Sequence, residues 1–311
     1  MGLVLMGNAL LMLSSFAVQF GLFDDLNFGD SDSDAEPEDA GGAAEEEPGG
    51  NLLDYIPDDF LAETTGTAAD ENFVADPTQN QAWFTMEGDD TLDASDGDDY
   101  ADGGEGDDVM LLRLGDDIAL GGDGADTIDG GFGDDTISGG PGDDRLNGSK
   151  GNDLIFGDLG NDLLTGSDGA DSLHGGQGND TLYGNTSTMP GDAWDGADTL
   201  DGGEGDDLLV VSGGDQAIGG AGADTFQIHD PGDGAAQAEI NDFDAAEDVI
   251  SLVYTPMTDP VTGDPVDPLI ELLPTADGTA AVLSLNGVEI AIISGGETLT
   301  PLDIALIPDV I

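Results

Sequence analysis

The sequence predicts an all-β chain. Its centre is a right-handed parallel β-roll, a β-solenoid of nonapeptide repeats, with a C-terminal β cap and, before it, an N-terminal hydrophobic helix and an acidic linker. Three observations predict this. A nine-residue pattern of glycine, aspartate and one apolar residue recurs between residues 85 and 227. The chain carries 69 acidic residues against three basic ones, Arg113, Arg145 and Lys150, for a formal charge of -66. It has no cysteine, so neither disulfides nor thiolate metal sites can hold it together.

The first element, residues 1–23, contains GLVLMGNALLMLSSFAVQFGLF (Gly2 to Phe23), a run without a charge and long enough to span a bilayer. It is read as a transmembrane anchor, with an atypical signal peptide or a buried or interfacial helix as the alternatives. No Lys or Arg precedes it, and the positive-inside rule is silent because the first basic residue is Arg113. Residues 24–50, rich in Asp, Glu, Gly and Ala, form an acidic disordered linker. Residues 51–84 carry NLLDYIPDDFL and NQAWF and are expected to cap the first coil.

From Thr85 to Val210 the chain divides into fourteen consecutive nine-residue units. Thirteen have glycine at the fourth position, from Gly88 to Gly205. The same thirteen have aspartate at the sixth: Asp90, Asp99, Asp108, Asp117, Asp126, Asp135, Asp144, Asp153, Asp162, Asp171, Asp180, Asp198 and Asp207. The eighth is Leu, Ile or Met in eleven, with Ala101, Ala119 and Gly191 as exceptions. An eight-residue unit, Val211 to Ile218, and a last full one, GGAGADTFQ with Asp224 at its sixth position, complete the array at Gln227. A halophile's solubilising surface would scatter its acids without period, so that reading fails here. The charge also excludes nucleic acid and anionic membrane surfaces as electrostatic partners.

Within one unit, Gly130, Gly131 and Gly133 give a tight turn and Thr136-Ile137-Ser138 a short strand. Such a strand has no stability alone, so copies must stack. Two units per coil place Leu92, Met110, Ile128, Leu146, Leu164, Leu182 and Leu200 on one inward row. Ile137, Ile155, Leu173 and Leu209 lie opposite, with Ala101, Ala119 and Gly191. One large apolar residue per nine is too thin a core to order the chain by itself.

Stacking also aligns the aspartates about 4.8 Å apart, the spacing of neighbouring strands. One row runs Asp90, Asp108, Asp126, Asp144, Asp162, Asp180 and Asp198. The other runs Asp99, Asp117, Asp135, Asp153 and Asp171, breaks at Met189, and resumes at Asp207. Bare carboxylates so close repel; a hard divalent cation between each pair reverses the sign. Ca²⁺ accepts six to eight oxygens in flexible geometry, whereas Mg²⁺ demands a stricter octahedron. The break predicts unequal ion rows. The fifth-position acids (Asp89, Asp107, Asp134, Asp143, Asp206) are read as adding field only, because Ala or Asn also serves there.

The pattern resembles the RTX nonapeptide G-G-x-G-x-D-x-U-x, a Ca²⁺-binding parallel β-roll repeat. The resemblance covers residues 85–227 and implies that the sixth-position aspartates listed above, Asp224 among them, are calcium ligands, with turn carbonyls completing the sites. Unit 184–192, GNTSTMPGD, and unit 112–120, which opens with Leu112-Arg113, depart from it. The run ADTFQIHDPGDGAAQAEINDFDAAEDVISL is similar to the segment that ends such rolls in secreted bacterial proteins.

Residues 228–311 are expected to form the β cap, with an Asn286-Gly287 hairpin turn and a further apolar strand in ETLTPLDIALI. The terminal Asp309-Val310-Ile311 resembles the ending of some type I secretion substrates, which makes 228–311 a candidate secretion-signal region. No catalytic residues are expected. His174 falls at an outward strand position, His229 follows the last repeat, and neither a zinc-protease nor a nucleophile-elbow motif occurs. Trp83 and Trp194 are candidates for sugar stacking or for core and cap packing.

The functional expectation is a module that folds on Ca²⁺ outside the cytoplasm, extracellular or at the cell surface, in a structural, adhesive or surface role with a cell-surface or polysaccharide partner. The alternative is the carrier region of a secreted enzyme, such as a polysaccharide-modifying one.

Overall fold

The computed structural model describes residues 62–74, 80–185, 196–229, 236–254, 257–258, 265–266, 268–295, 299–300 and 304–308. The expectations for residues 1–23 and 24–50 and for the C-terminal tripeptide fall outside them. Among the described residues there is no helix long and apolar enough to cross a membrane.

Two sheets run the length of the repeats and face each other across the core. Their strands alternate along the chain, so each coil contributes one strand to each sheet. Pairing is parallel throughout the repeats, as in Thr136–Pro141 with Leu154–Leu159, where Ile137 stands beside Ile155. The architecture is a parallel β-solenoid. A typical strand has six residues, not the three read from the sequence, because it continues from positions seven to nine into the first three positions of the next unit. Thr127–Phe132 shows the result: Ile128 and Gly130 are buried, while Thr127, Asp129 and Phe132 lie on the more exposed face.

The chain then turns at the fourth-position glycine. Gly133 has φ of +127°, and a Cβ there would collide with the carbonyl of Gly115 in the coil below. Coils approach so closely at this edge that only glycine fits. Because the first position also points inward, a large residue there joins the core. Leu112 and Val211, which look like departures from the repeat, are almost fully buried. The inward aliphatic rows stand as expected from Leu92 to Leu182 and from Ala101 to Leu173.

Beyond residue 185 the sequence expectation fails. Leu200 does not continue the row of Leu182; it pairs beside Leu173, and Leu209 takes the place beside Leu182. The step from coil to coil is 27 residues here instead of 18, as in the bond from the Asp171 N–H to Asp198 Oδ1. Nine residues are bypassed. Gly184 and Asn185 supply the start of a unit and Gly196 to Asp201 its end, so two sequence units make one structural unit. Periodicity alone could not show this, because an insertion of one period leaves the register of glycines and aspartates intact.

The sheets extend past the repeats at both ends. Phe73 stands beside Leu92, and Trp83 beside Ala101. Trp83 is buried in the core and tilted against Phe73, with ring centroids 5.6 Å apart, so it is a core residue and offers no face to a sugar. Trp194 lies outside the described residues. At the other end Ala238–Ile240 and Val249–Tyr254 add parallel strands to the two sheets. Val288–Ser294 then pairs with Ala238–Ile240 and starts an antiparallel meander with Ala280–Leu285 and Ile270–Pro274. The Asn286-Gly287 turn, with φ of +54° and +84°, closes the hairpin expected there. Ile304–Pro308 pairs with Val249–Tyr254.

Candidate metal centres along the two edges of the roll

Each sixth-position aspartate sits just after the glycine turn, with its carboxylate folded back under the coil. The thirteen from Asp90 to Asp207 are buried, as is Asp224. Their Oδ1 atoms accept from the backbone N–H of the corresponding residue one coil earlier. Asp126 N–H donates to Asp144 Oδ1 and Asp144 N–H to Asp162 Oδ1, both at 2.8 Å. Oδ2 is different. In Asp90, Asp99, Asp108, Asp117, Asp126, Asp135, Asp144, Asp153, Asp162, Asp180 and Asp207 this oxygen is buried and has no hydrogen-bond partner among the described residues. A buried acceptor left without a donor is costly, and a buried anion more so.

What faces Oδ2 is another acceptor. A Cβ placed on Gly175 would stand 2.5 Å from Asp180 Oδ2 and 2.5 Å from the carbonyl of Gly202 in the next coil. The same pair of oxygens flanks Gly157, with Asp162 Oδ2 and the carbonyl of Gly175. First-position glycine thus does more than bend the chain: it clears the space into which a carboxylate and a carbonyl both point. Two acceptors with no proton between them suit a hard cation. Among the described residues no three His, Asp or Glu side chains converge on one point, so an ion here must draw on backbone carbonyls as well. That donor set, carboxylate plus carbonyl oxygen, is the one calcium prefers.

The electrostatics agree. Burial, outweighing the backbone N–H that each Oδ1 accepts, pushes Asp117 and Asp144 up to about 8, and Asp126, Asp135, Asp153, Asp162 and Asp207 up to about 7. Neighbouring aspartates of the same row push in the same direction, Asp126 and Asp162 acting on Asp144. Without a cation these groups hold protons to higher pH than an ordinary carboxylate.

The predicted rows need two corrections. Asp207 follows Asp180 and Asp198 follows Asp171, each accepting the earlier residue's N–H, so the two exchange the rows assigned to them from the sequence. The row through Asp171 therefore has no gap, and the two rows are not unequal for the expected reason. Both also run further than the repeats indicate. Asp215 accepts from the Asp198 N–H and Asp248 from the Asp224 N–H. Glycine-based counting misses both; Asp215-Gln216-Ala217 and Asp248-Val249-Ile250 keep only the aspartate, any residue, apolar signal.

The fifth position is corrected too. Asp143 Oδ1 accepts from the Asn161 backbone at 2.8 Å and from its side chain at 3.0 Å. Asp89, Asp107, Asp134 and Asp206 likewise accept an N–H from the next coil. This outer ladder points up the stack while the sixth-position ladder points down. Asn serves as well as Asp because only an acceptor is needed; Ala125 and Ala170 donate to the ladder but do not extend it. Of the histidines, His174 stacks on Phe156 with centroids 5.0 Å apart, and His229 contacts Gln227 at 2.9 Å.

The model of the RTX calcium-binding nonapeptide repeat (4 copies) matches residues 84–119, 120–155, 156–186, 192–209 and 210–227. These residues are RTX calcium-binding repeats. Calcium-binding repeats are consistent with calcium as the ion of these sites; the third match ends at residue 186 and the fourth begins at 192, leaving 187–191 unmatched. No curated protein matches the sequence. Among solved structures the chain is similar to the solution structure of the AlgE6R3 subunit from the Azotobacter vinelandii mannuronan C5-epimerase. That likeness has 23% identity and a TM-score of 0.21, covering 59% of this chain and 78% of the other.

Proposed function

We propose that the roll is a calcium-folded module acting outside the cytoplasm in a structural, adhesive or surface role, without catalysis of its own. The carrying observation is the set of buried Oδ2 atoms, Asp144 and Asp162 among them, that have no hydrogen-bond partner among the described residues, with a carbonyl of the next coil facing Oδ2 at Gly157 and Gly175. The ligands are the sixth-position aspartates from Asp90 to Asp224. At stations where first-position glycine is replaced, the site is poorer. Thr85 donates its hydroxyl to the Gly103 carbonyl at 2.5 Å, and Leu112 fills the inward space with its side chain.

Extracellular modules commonly bind calcium at roughly 10⁻⁴–10⁻³ M, well above cytosolic levels, so the chain would remain unfolded where it is made and fold where calcium is plentiful. Circular dichroism of the full chain during a calcium titration tests this. Strand signal should rise cooperatively with calcium and disappear in chelator. Full strand signal in chelator at neutral pH would overturn the proposal.

A further inference from the structure

The chain's three basic residues all fall on one sheet, in strands Val109–Leu114 and Arg145–Lys150. Arg113 pairs with Asp93 at 2.8 Å and Lys150 with Asp168 at 3.7 Å. Arg145 is exposed and has no ion pair among the described residues. It borders a cleft of about 360 Å³ on the outer face of the sheet, with Thr127, Asp129, Asn147, Thr165 and Ser167. The cleft has a fixed polar floor. The Ser149 hydroxyl donates to Asp129 Oδ1 at 2.8 Å, Asn147 Nδ2 to Ser149 Oγ at 2.7 Å, and the Ser167 hydroxyl to Asn147 Oδ1 at 3.2 Å. Asp129 Oδ2 takes no hydrogen bond among the described residues.

Nothing in the calcium repeat calls for this arrangement. Its second position is glycine, yet Arg113, Ser149 and Ser167 stand there in one column with Gly131. Their φ values of +85°, +78° and +84° are ones that glycine adopts freely and other residues adopt under strain. Strain of this kind clusters where side chains have a task. The two serines have one: they hold Asp129 and Asn147 in place. Across the roll the same column reads Gly140, Asp158 and Gly176, and the outward row beside it reads Ser138, Phe156 and His174. The polar cleft is therefore a feature of one face and of these coils, not of the repeat.

We propose that this cleft binds a neutral, hydroxyl-rich glycan. The proposal rests on the adhesive reading above and gives it a partner class and a site. A sugar hydroxyl both donates and accepts, and the cleft offers a carboxylate oxygen and a guanidinium fork that are not spent on each other. Side-chain hydroxyls and an amide held by their neighbours complete a lining that needs little ordering on binding. One carboxylate and one guanidinium leave the cleft without net charge, while the formal charge of -66 repels polyanions from the molecule. The volume lies at the small end of ligand clefts and suits a short stretch of sugar chain.

Electrophoresis of the full chain in calcium, through native gels containing dextran, galactomannan or xyloglucan, tests this, with dextran sulfate as the anionic comparison. At least one neutral polysaccharide should retard the chain. Arg145→Ala should weaken that binding about fivefold or more, through loss of charge-assisted hydrogen bonds. Gln177→Ala, exposed on the opposite sheet, should leave it unchanged. Ser149→Gly separates binding from folding. It relieves the positive φ, so calcium folding by circular dichroism should need no more calcium than before, while glycan binding should fall about threefold as Asp129 loses its hold. Calcium-dependent strand signal without retardation by any neutral polysaccharide overturns the glycan proposal and leaves calcium folding intact. Retardation by dextran sulfate alone, or retardation that Arg145→Ala does not change, also overturns it. Full strand signal and equal retardation in chelator overturn calcium folding and leave the cleft standing.

Discussion

Asp143 and Asp144 are adjacent acids with different tasks. Asp144 is buried, with Oδ1 accepting the Asp126 N–H from the preceding coil and Oδ2 without a hydrogen-bond partner among the described residues, in the glycine cradle. Asp143 is exposed and accepts an N–H from Asn161. Asp144→Ala should raise the calcium midpoint for folding by about tenfold or more, because charged-ligand count sets calcium affinity. Asp143→Ala should lose one backbone and one side-chain hydrogen bond, costing about 0.5–1.5 kcal/mol, and shift the midpoint far less. Paired calcium titrations decide it; equal shifts would mean that the nine-residue register assigns the ligands wrongly. The sixth position was legible in the sequence because aspartate occurs there in thirteen of the fourteen units, Met189 alone departing. The fifth was not: tolerance of Asn and Ala reads as indifference until the ladder shows that an acceptor is wanted.

The nine-residue bypass belongs to the scale of the coil. Gly184-Asn185 joined directly to Asp195-Gly196-Ala197-Asp198-Thr199-Leu200-Asp201 reads as one complete nonapeptide. A Cβ on Gly184 would stand 2.5 Å from Asp198 Oδ2, so the cradle is rebuilt across the bypass. A variant lacking residues 186–194 should therefore fold on calcium with an unchanged or lower midpoint, since a shorter connection costs less closure entropy. Loss of calcium-dependent folding in this variant would show that the bypassed residues support the stack. Repeat positions, turn glycines and the Asn286-Gly287 hairpin could all be read from local residues. Which coil lies above which could not, since an insertion of one full period preserves every local signal and changes only long-range partners. Leu112 was misread for a related reason: glycine at the first position hides that this position faces the core.

For the molecule as a whole, folding without calcium concentrates acids that repel. The row carboxylates have folded-state pKa values raised above the ordinary value, Asp117 and Asp144 to about 8 and several others to about 7. A raised acid favours the folded state at pH below its unfolded value, and that contribution is lost as pH rises through the folded one. The metal-free roll should thus gain strand structure as a chelated sample is taken from pH 8 towards pH 4, and lose it on return. A chelated chain that is equally unfolded at both ends of that range, by circular dichroism, would contradict the raised values.

The central claim is that ions between buried carboxylates hold the stack together, and small-angle scattering of the full chain at neutral pH tests it most directly. A chain of formal charge -66 should be expanded in chelator and contract cooperatively as calcium is added. A radius of gyration that is already compact in chelator, or that calcium leaves unchanged, would contradict the account.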